Sequence, residues 1–101
     1  MVLVATIVSR LDNKMSAVIT RDMIEDGLMC GAIVVYYEDG NLACKIGGGW
    51  FYIDDNVDPT NYEDVVNFIF EELNDLRLSI YYEYEDEYRY YYNYLTSALN
   101  L

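Results

Sequence analysis

Histidine is absent from the 101 residues, and proline occurs once, at Pro59. Without histidine the chain has neither the usual general base nor the commonest metal ligand. Cations are scarce too: six Lys and Arg stand against eighteen Asp and Glu, a formal net charge of −12. Holding a phosphate backbone takes a basic patch, so direct nucleic-acid binding is not expected. Cysteine appears twice, as Cys30 and Cys44, both among apolar neighbours. One disulfide is open to that pair, but two buried, reduced thiols are the better fit. Nothing approaches the roughly 18–20 apolar residues of a membrane span. Met1–Val8 is apolar, but it is short, lacks a basic leader and leads directly to Arg10. It reads as a strand, not a secretion signal. A cytoplasmic protein without a membrane partner is expected, in the host cytoplasm if the source is viral.

Catalytic and cofactor motifs are equally thin. The serines lack a GxSxG setting, and neither cysteine has a base to activate it. Gly47-Gly48-Gly49 has no following Lys-Ser/Thr and runs into a strand, so it is a corner or hinge and not a phosphate loop. Asp54, Asn56 and Asp58 begin like a calcium loop, but Pro59 stands where glycine is required and Val65 where glutamate is required. A looser oxygen site at Asp54, Asp55 and Asp58 is much the weaker reading beside a solvated loop. Glu83 and Glu87 have the spacing of a carboxylate pair but no companion functional groups. No metal, no cofactor and no enzymatic activity are expected.

What is present is apolar content, at 53%, enough for a folded single domain over residues 1–101 despite the charge. Strands are expected at Val2–Ser9 and Met15–Thr20, with a turn at Asp12-Asn13 between them. Arg21–Asp26 reads as one helical turn closed by Gly27 in a left-handed conformation. Ala32–Glu38 and Asn41–Ile46 flank the turn dipeptide Asp39-Gly40, and Trp50–Ile53 follows the glycine corner. Beyond Asp54–Asn61, a polar loop, the period becomes helical. Tyr62, Val65, Val66, Ile69, Leu73 and Leu76 share one stripe, and Thr60 with Glu63 forms a capping box for a helix over 61–77. A second helix is placed from Glu83 to Ala98, with 78–82 as its entry. The expected fold is α+β: an antiparallel sheet of four to five strands with two C-terminal helices packed on one face.

Charge and aromatics then concentrate together. Residues 1–53 carry four bases and six acids, whereas 54–101 carry two bases and twelve acids, net −10. Eight of the fourteen residues from Tyr81 to Tyr94 are tyrosine, interleaved with Glu83, Glu85, Asp86 and Glu87. A helix buries one stripe. If Tyr84, Tyr88 and Tyr91 pack on the sheet, then Tyr81, Tyr90, Tyr92 and Tyr94 cannot all join them, and grouped exposed rings mark contact surfaces. Carboxylates attract Arg/Lys surfaces, and a spaced array of them can occupy the place of DNA phosphates. The expected partner is the basic surface of a nucleic-acid-handling enzyme. The alternative is a structural or adaptor protein that self-associates, as a homodimer, through its tyrosine surface.

Two segments, Glu38-Asp39-Gly40-Asn41 in a hairpin turn and Glu83-Tyr84-Glu85-Asp86-Glu87 opening the last helix, resemble small acidic phage anti-CRISPR proteins, in particular the type II-A group of Listeria phages. The resemblance implies a small antiparallel sheet with helices, and inhibition of an RNA-guided Cas nuclease by occupying the site that reads the PAM duplex. It implies that Asp39 and Asn41 make a hairpin contact, and that Glu83, Glu85, Asp86 and Glu87 face the arginines such nucleases use on guanine. Tyr81 and Tyr90 are read as flanking contacts. Two departures stand out: an expected N-terminal strand where that family has a helix, and the extra stretch Ala43–Ile53.

Overall fold

The computed structural model describes residues 17–101. Six elements follow in order: α1 (Arg21–Cys30), β1 (Ile33–Glu38), β2 (Asn41–Ile46), β3 (Gly49–Tyr52), α2 (Tyr62–Arg77) and α3 (Tyr82–Ala98). The fold is α+β, and its sheet has three strands among the described residues, in the order β1-β2-β3, both pairs antiparallel. Four to five strands were expected. The one expected at Val2–Ser9 lies outside the described residues, as does the start of the one expected at Met15–Thr20. Residues 17–20 form no strand, and Thr20 instead caps α1 by accepting a hydrogen bond from the Met23 N–H at 3.2 Å.

The helix α1 is longer than the single turn expected, and the reason is Gly27. It does not stop the helix. A Cβ there would lie 2.9 Å from two Ile33 side-chain atoms and 3.3 Å from Leu95, so glycine allows the helix to approach β1 and α3 closely. The left-handed stop falls at Gly31, with φ +84°. The β1–β2 turn is as expected: Asp39 and Gly40 both have positive φ, 53° and 82°, which suits a tight two-residue hairpin.

Alternation divides the sheet into two faces. Ile33 and Val35 lie on the same face as Leu42, Cys44, Ile46 and Phe51, and that face belongs to the core. Its cover is Ile24 and Met23 from α1, Val66, Ile69 and Leu73 from α2, and Tyr88, Tyr91 and Leu95 from α3. Three helices contribute, one more than the two expected. The opposite face carries Val34, Tyr36, Ala43, Lys45, Trp50 and Tyr52 in register.

The cap of α2 differs by one residue from the expected one. Asn61 accepts from the Asp64 N–H at 3.2 Å, while Thr60 turns back on Asp58, donating through its hydroxyl at 2.7 Å and its N–H at 2.9 Å. Those bonds hold the exposed Asp58 carboxyl below its ordinary range.

Candidate protein-binding surface

The long third helix positions most of the predicted site, and its geometry begins with how it is anchored. Tyr81 provides no side-chain cap. Tertiary bonds from tyrosine hydroxyls fix the helix instead. The Ile19 N–H donates to the Tyr88 hydroxyl at 2.6 Å in the interior, and the Gly48 N–H donates to the Tyr90 hydroxyl at the same distance. Tyr91 donates to Glu87 Oε1 at 3.0 Å and packs edge-on to Phe51. Glycine is required where these rings meet the β2–β3 corner. A Cβ on Gly49 would lie 2.6 Å from the Tyr91 ring, and one on Gly47 2.6 Å from the Tyr90 hydroxyl. The glycine triplet is thus a seat for α3. Burial raises the Tyr88 and Tyr91 hydroxyls above the usual phenol range, and the neighbouring Glu87 adds to the effect at Tyr91.

With Tyr88, Tyr91 and Leu95 inward, the remaining side chains are distributed by the helical period. Glu83 and Asp86 are exposed and lie one turn apart on α3, so their axial separation is about 4.5 Å. Glu87 is half-buried and accepts the Tyr91 hydrogen bond. Glu85 departs from expectation. It is 5% exposed, on the core side of the helix, with Arg89 Nη2 at 4.0 Å. Position 85 falls three residues before Tyr88, on the same stripe, so its carboxylate does not face outward with Glu83 and Asp86. It is a packing and pairing residue.

The tyrosines also sort differently from expectation. Tyr84, expected on the sheet, is exposed and packs edge-to-face with exposed Tyr81 at 5.8 Å. Tyr82 is exposed beside them. Tyr92, one of the four rings that were not all expected to be buried, is half-buried against the core. Tyr90 is exposed, stacked with Tyr94 at 6.4 Å and tied to Gly48, so it is held rigidly. The N-terminal end of α3 therefore gathers Tyr81, Glu83 and Tyr84 around one shallow hollow, while Asp86 lies with Arg89, Tyr90 and Tyr94 further along the helix.

At the hairpin, Asp39 and Asn41 are exposed at and beside the turn. Asn41 shares a shallow cleft with Asp54, Asp55 and Glu72. Glu72 is held above the ordinary carboxyl range by partial burial, and then by Asp75 one turn on. Sequence reasoning missed Glu72 as part of the acidic surface. Its signal was the density of acids over 54–75, not its place beside the apolar stripe. Asp54 accepts from the Asn56 N–H at 2.8 Å, an ordinary turn bond. No group of three metal-ligating side chains meets among the described residues.

Both cysteines are free thiols. Cys44 is fully buried, and burial pushes its thiol up to about 12, which makes it unreactive. Cys30, expected to be buried, is exposed at the end of α1. No helix among the described residues is long and apolar enough to cross a membrane. No protein-family model matches the chain, and neither a curated protein nor a solved structure matches it.

Proposed function

We propose that this protein is a phage-type inhibitor that binds a host nucleic-acid-handling defence enzyme, of the RNA-guided Cas nuclease kind, through an acidic, tyrosine-rich surface that stands in for DNA. The observation that carries this reading is the exposed start of α3, where Glu83 lies with Tyr81 and Tyr84, and Asp86 follows one turn on beside Tyr90. The axial separation of Glu83 and Asp86 is of the order of the roughly 3.4 Å of duplex axis that each phosphate of one DNA strand occupies. The rings give contact area at low entropic cost. The hairpin acids, with Asp54, Asp55 and Glu72 near Asn41, extend the negative surface over a second part of the molecule. Tyr90 is the third contact, on a stretch of helix that its bond to Gly48 makes stiff.

Association is steered by long-range attraction and is salt-sensitive, while the tyrosines hold the complex once formed. Competition between the purified protein and PAM-containing duplex for a candidate nuclease tests this directly. Glu83→Lys with Asp86→Lys should lower the association rate about tenfold at low salt, with little change in dissociation. Glu85→Lys should act by destabilising the fold, since its carboxylate is buried. If no tested nuclease loses DNA binding even at low ionic strength, the inhibitor reading is wrong.

A further inference from the structure

Among the described residues the sheet ends at β1, and this edge does not depend on the nuclease reading. Among the described residues β1 pairs with β2 alone, over six consecutive positions without a bulge. Which of its backbone groups point outward follows from one bond: the Ile53 N–H donates to the Leu42 carbonyl at 2.8 Å, so Leu42 is turned toward β3. Its neighbours Asn41 and Ala43, and then Lys45, are turned toward β1, where they meet Glu38, Tyr36 and Val34. The donors and acceptors of Ile33, Val35 and Tyr37 therefore face the open edge. Natural edges are blunted by shortness, Lys, Pro or a bulge. Residues 33–37 have none of these, and Val34 and Tyr37 are exposed. β3, the other edge, has only four residues.

We infer that β1 is a self-association edge, at which a second copy of this chain pairs its own β1 antiparallel about a two-fold axis through Tyr36. Four features of the strand and its surroundings favour that occupant. An antiparallel pair of identical strands is self-complementary, so one register satisfies both copies. With Tyr36 on the axis, Val35 of each copy exchanges backbone bonds with Tyr37 of the partner subunit. Side chains stay on matching faces, so both cores remain on one side of a continuous six-stranded sheet. Charge then fits as well. Among the described cations, Arg21 pairs with Glu63, Arg89 lies beside Glu85, and Arg77 is engaged in the fold, whereas Lys45 has no ion-pair partner among the described residues. Lys45 lies beside Val34 on the outer face, and the register puts Glu38 of the partner subunit on the other side of Val34. Two strand spacings, roughly 9.5 Å, separate them, a span that a lysine and a glutamate side chain bridge. The pairing occurs twice by symmetry, and it joins the less acidic halves of two strongly anionic chains.

Sedimentation of the full-length chain from micromolar to millimolar concentration should show a reversible monomer–dimer equilibrium. Val35→Pro removes an outward N–H without touching the β2 ladder, and should raise the dimer Kd about thirtyfold, the loss of two backbone hydrogen bonds. Lys45→Glu, a surface change that leaves the fold intact, should raise it about tenfold, and adding Glu38→Lys to it should restore association. Amide exchange at Val35 and Tyr37 should slow as concentration rises. A monomer at every concentration overturns the proposal, as does a dimer indifferent to these variants. Edge amides already protected in the dilute monomer overturn it too, by showing that another part of the same chain occupies the edge.

Discussion

The two long helices of this protein are nearly equal in length but are stabilised in opposite ways. α2 is self-sufficient at its ends: Asn61 caps it, Glu63 and Asp64 suit its positive end, and Arg77 suits its negative end. Its buried residues are aliphatic, Val65, Val66, Ile69 and Leu73. α3 has no side-chain cap, no base in its last turn, and a buried set of Glu85, Tyr88, Tyr91 and Leu95. What secures it is tertiary: hydroxyls bonded to Ile19 and Gly48, and rings seated on Gly47 and Gly49. A helix tied down at its tyrosine tips can carry like charges and exposed rings that local propensity would disfavour. The surface proposed to meet a partner therefore sits on the element whose stability is least its own.

The contrast can be broken first at the core. Ile69→Ala in α2 and Leu95→Ala in α3 should each cost about 3 kcal/mol in denaturant unfolding, because both side chains are fully buried. A much smaller loss at Leu95 would mean that α3 is loosely docked. Next in size is Tyr88→Phe, which strands the Ile19 N–H in the interior and should cost about 2 kcal/mol. The same change at Tyr62, an exposed ring of α2, should be close to neutral. Capping sharpens the comparison further. Asn61→Ala should destabilise by about 1 kcal/mol, whereas Tyr81→Ser should stabilise by about 0.5 kcal/mol by supplying the cap α3 lacks. Thermal midpoints moving in the same direction for both would refute the asymmetry.

A smaller effect is expected with pH. Tyr88 and Tyr91 have folded-state values raised above the ordinary 10.0 by burial. The unfolded phenols ionise first, so this stabilisation is complete below pH 10 and is lost as pH climbs toward the folded values. Unfolding midpoints followed from neutral to alkaline pH should fall only in that upper range, and less steeply in Tyr88→Phe. The least costly check uses the thiols: a thiol-selective reagent should modify Cys30 in the native chain and reach Cys44 only on unfolding.

Much of the architecture was readable from residue patterns. The alternation of Ile33 through Glu38, the Asp39-Gly40 turn and the stripe from Val65 to Leu73 each carry their period openly, and each lies where expected. Errors arose where one residue type serves two purposes. Gly27 looked like a helix stop because glycine most often is one, but here it is a point of close approach. Glu85 looked like its neighbours Glu83 and Asp86, since a run of acids shows no phase by itself. Only the position of Tyr88 and Tyr91 on the core identifies position 85 as inward. Tyr84 was misplaced for the same reason, tyrosine being as acceptable at a half-wet position as at a dry one.

Composition alone settled the charge, the missing histidine and the crowding of acids and rings into one stretch, because these are counts that no folding can change. The helical period of 62–77 and the hairpin were likewise determined locally, by side-chain spacing and by backbone preference at two turn residues. Which carboxylates face outward was decided only in three dimensions. That choice depends on how α3 is rotated about its axis, and the rotation is set by Tyr88, Tyr90 and Tyr91 meeting partners at least forty residues away along the chain, at Ile19, Gly48 and Phe51.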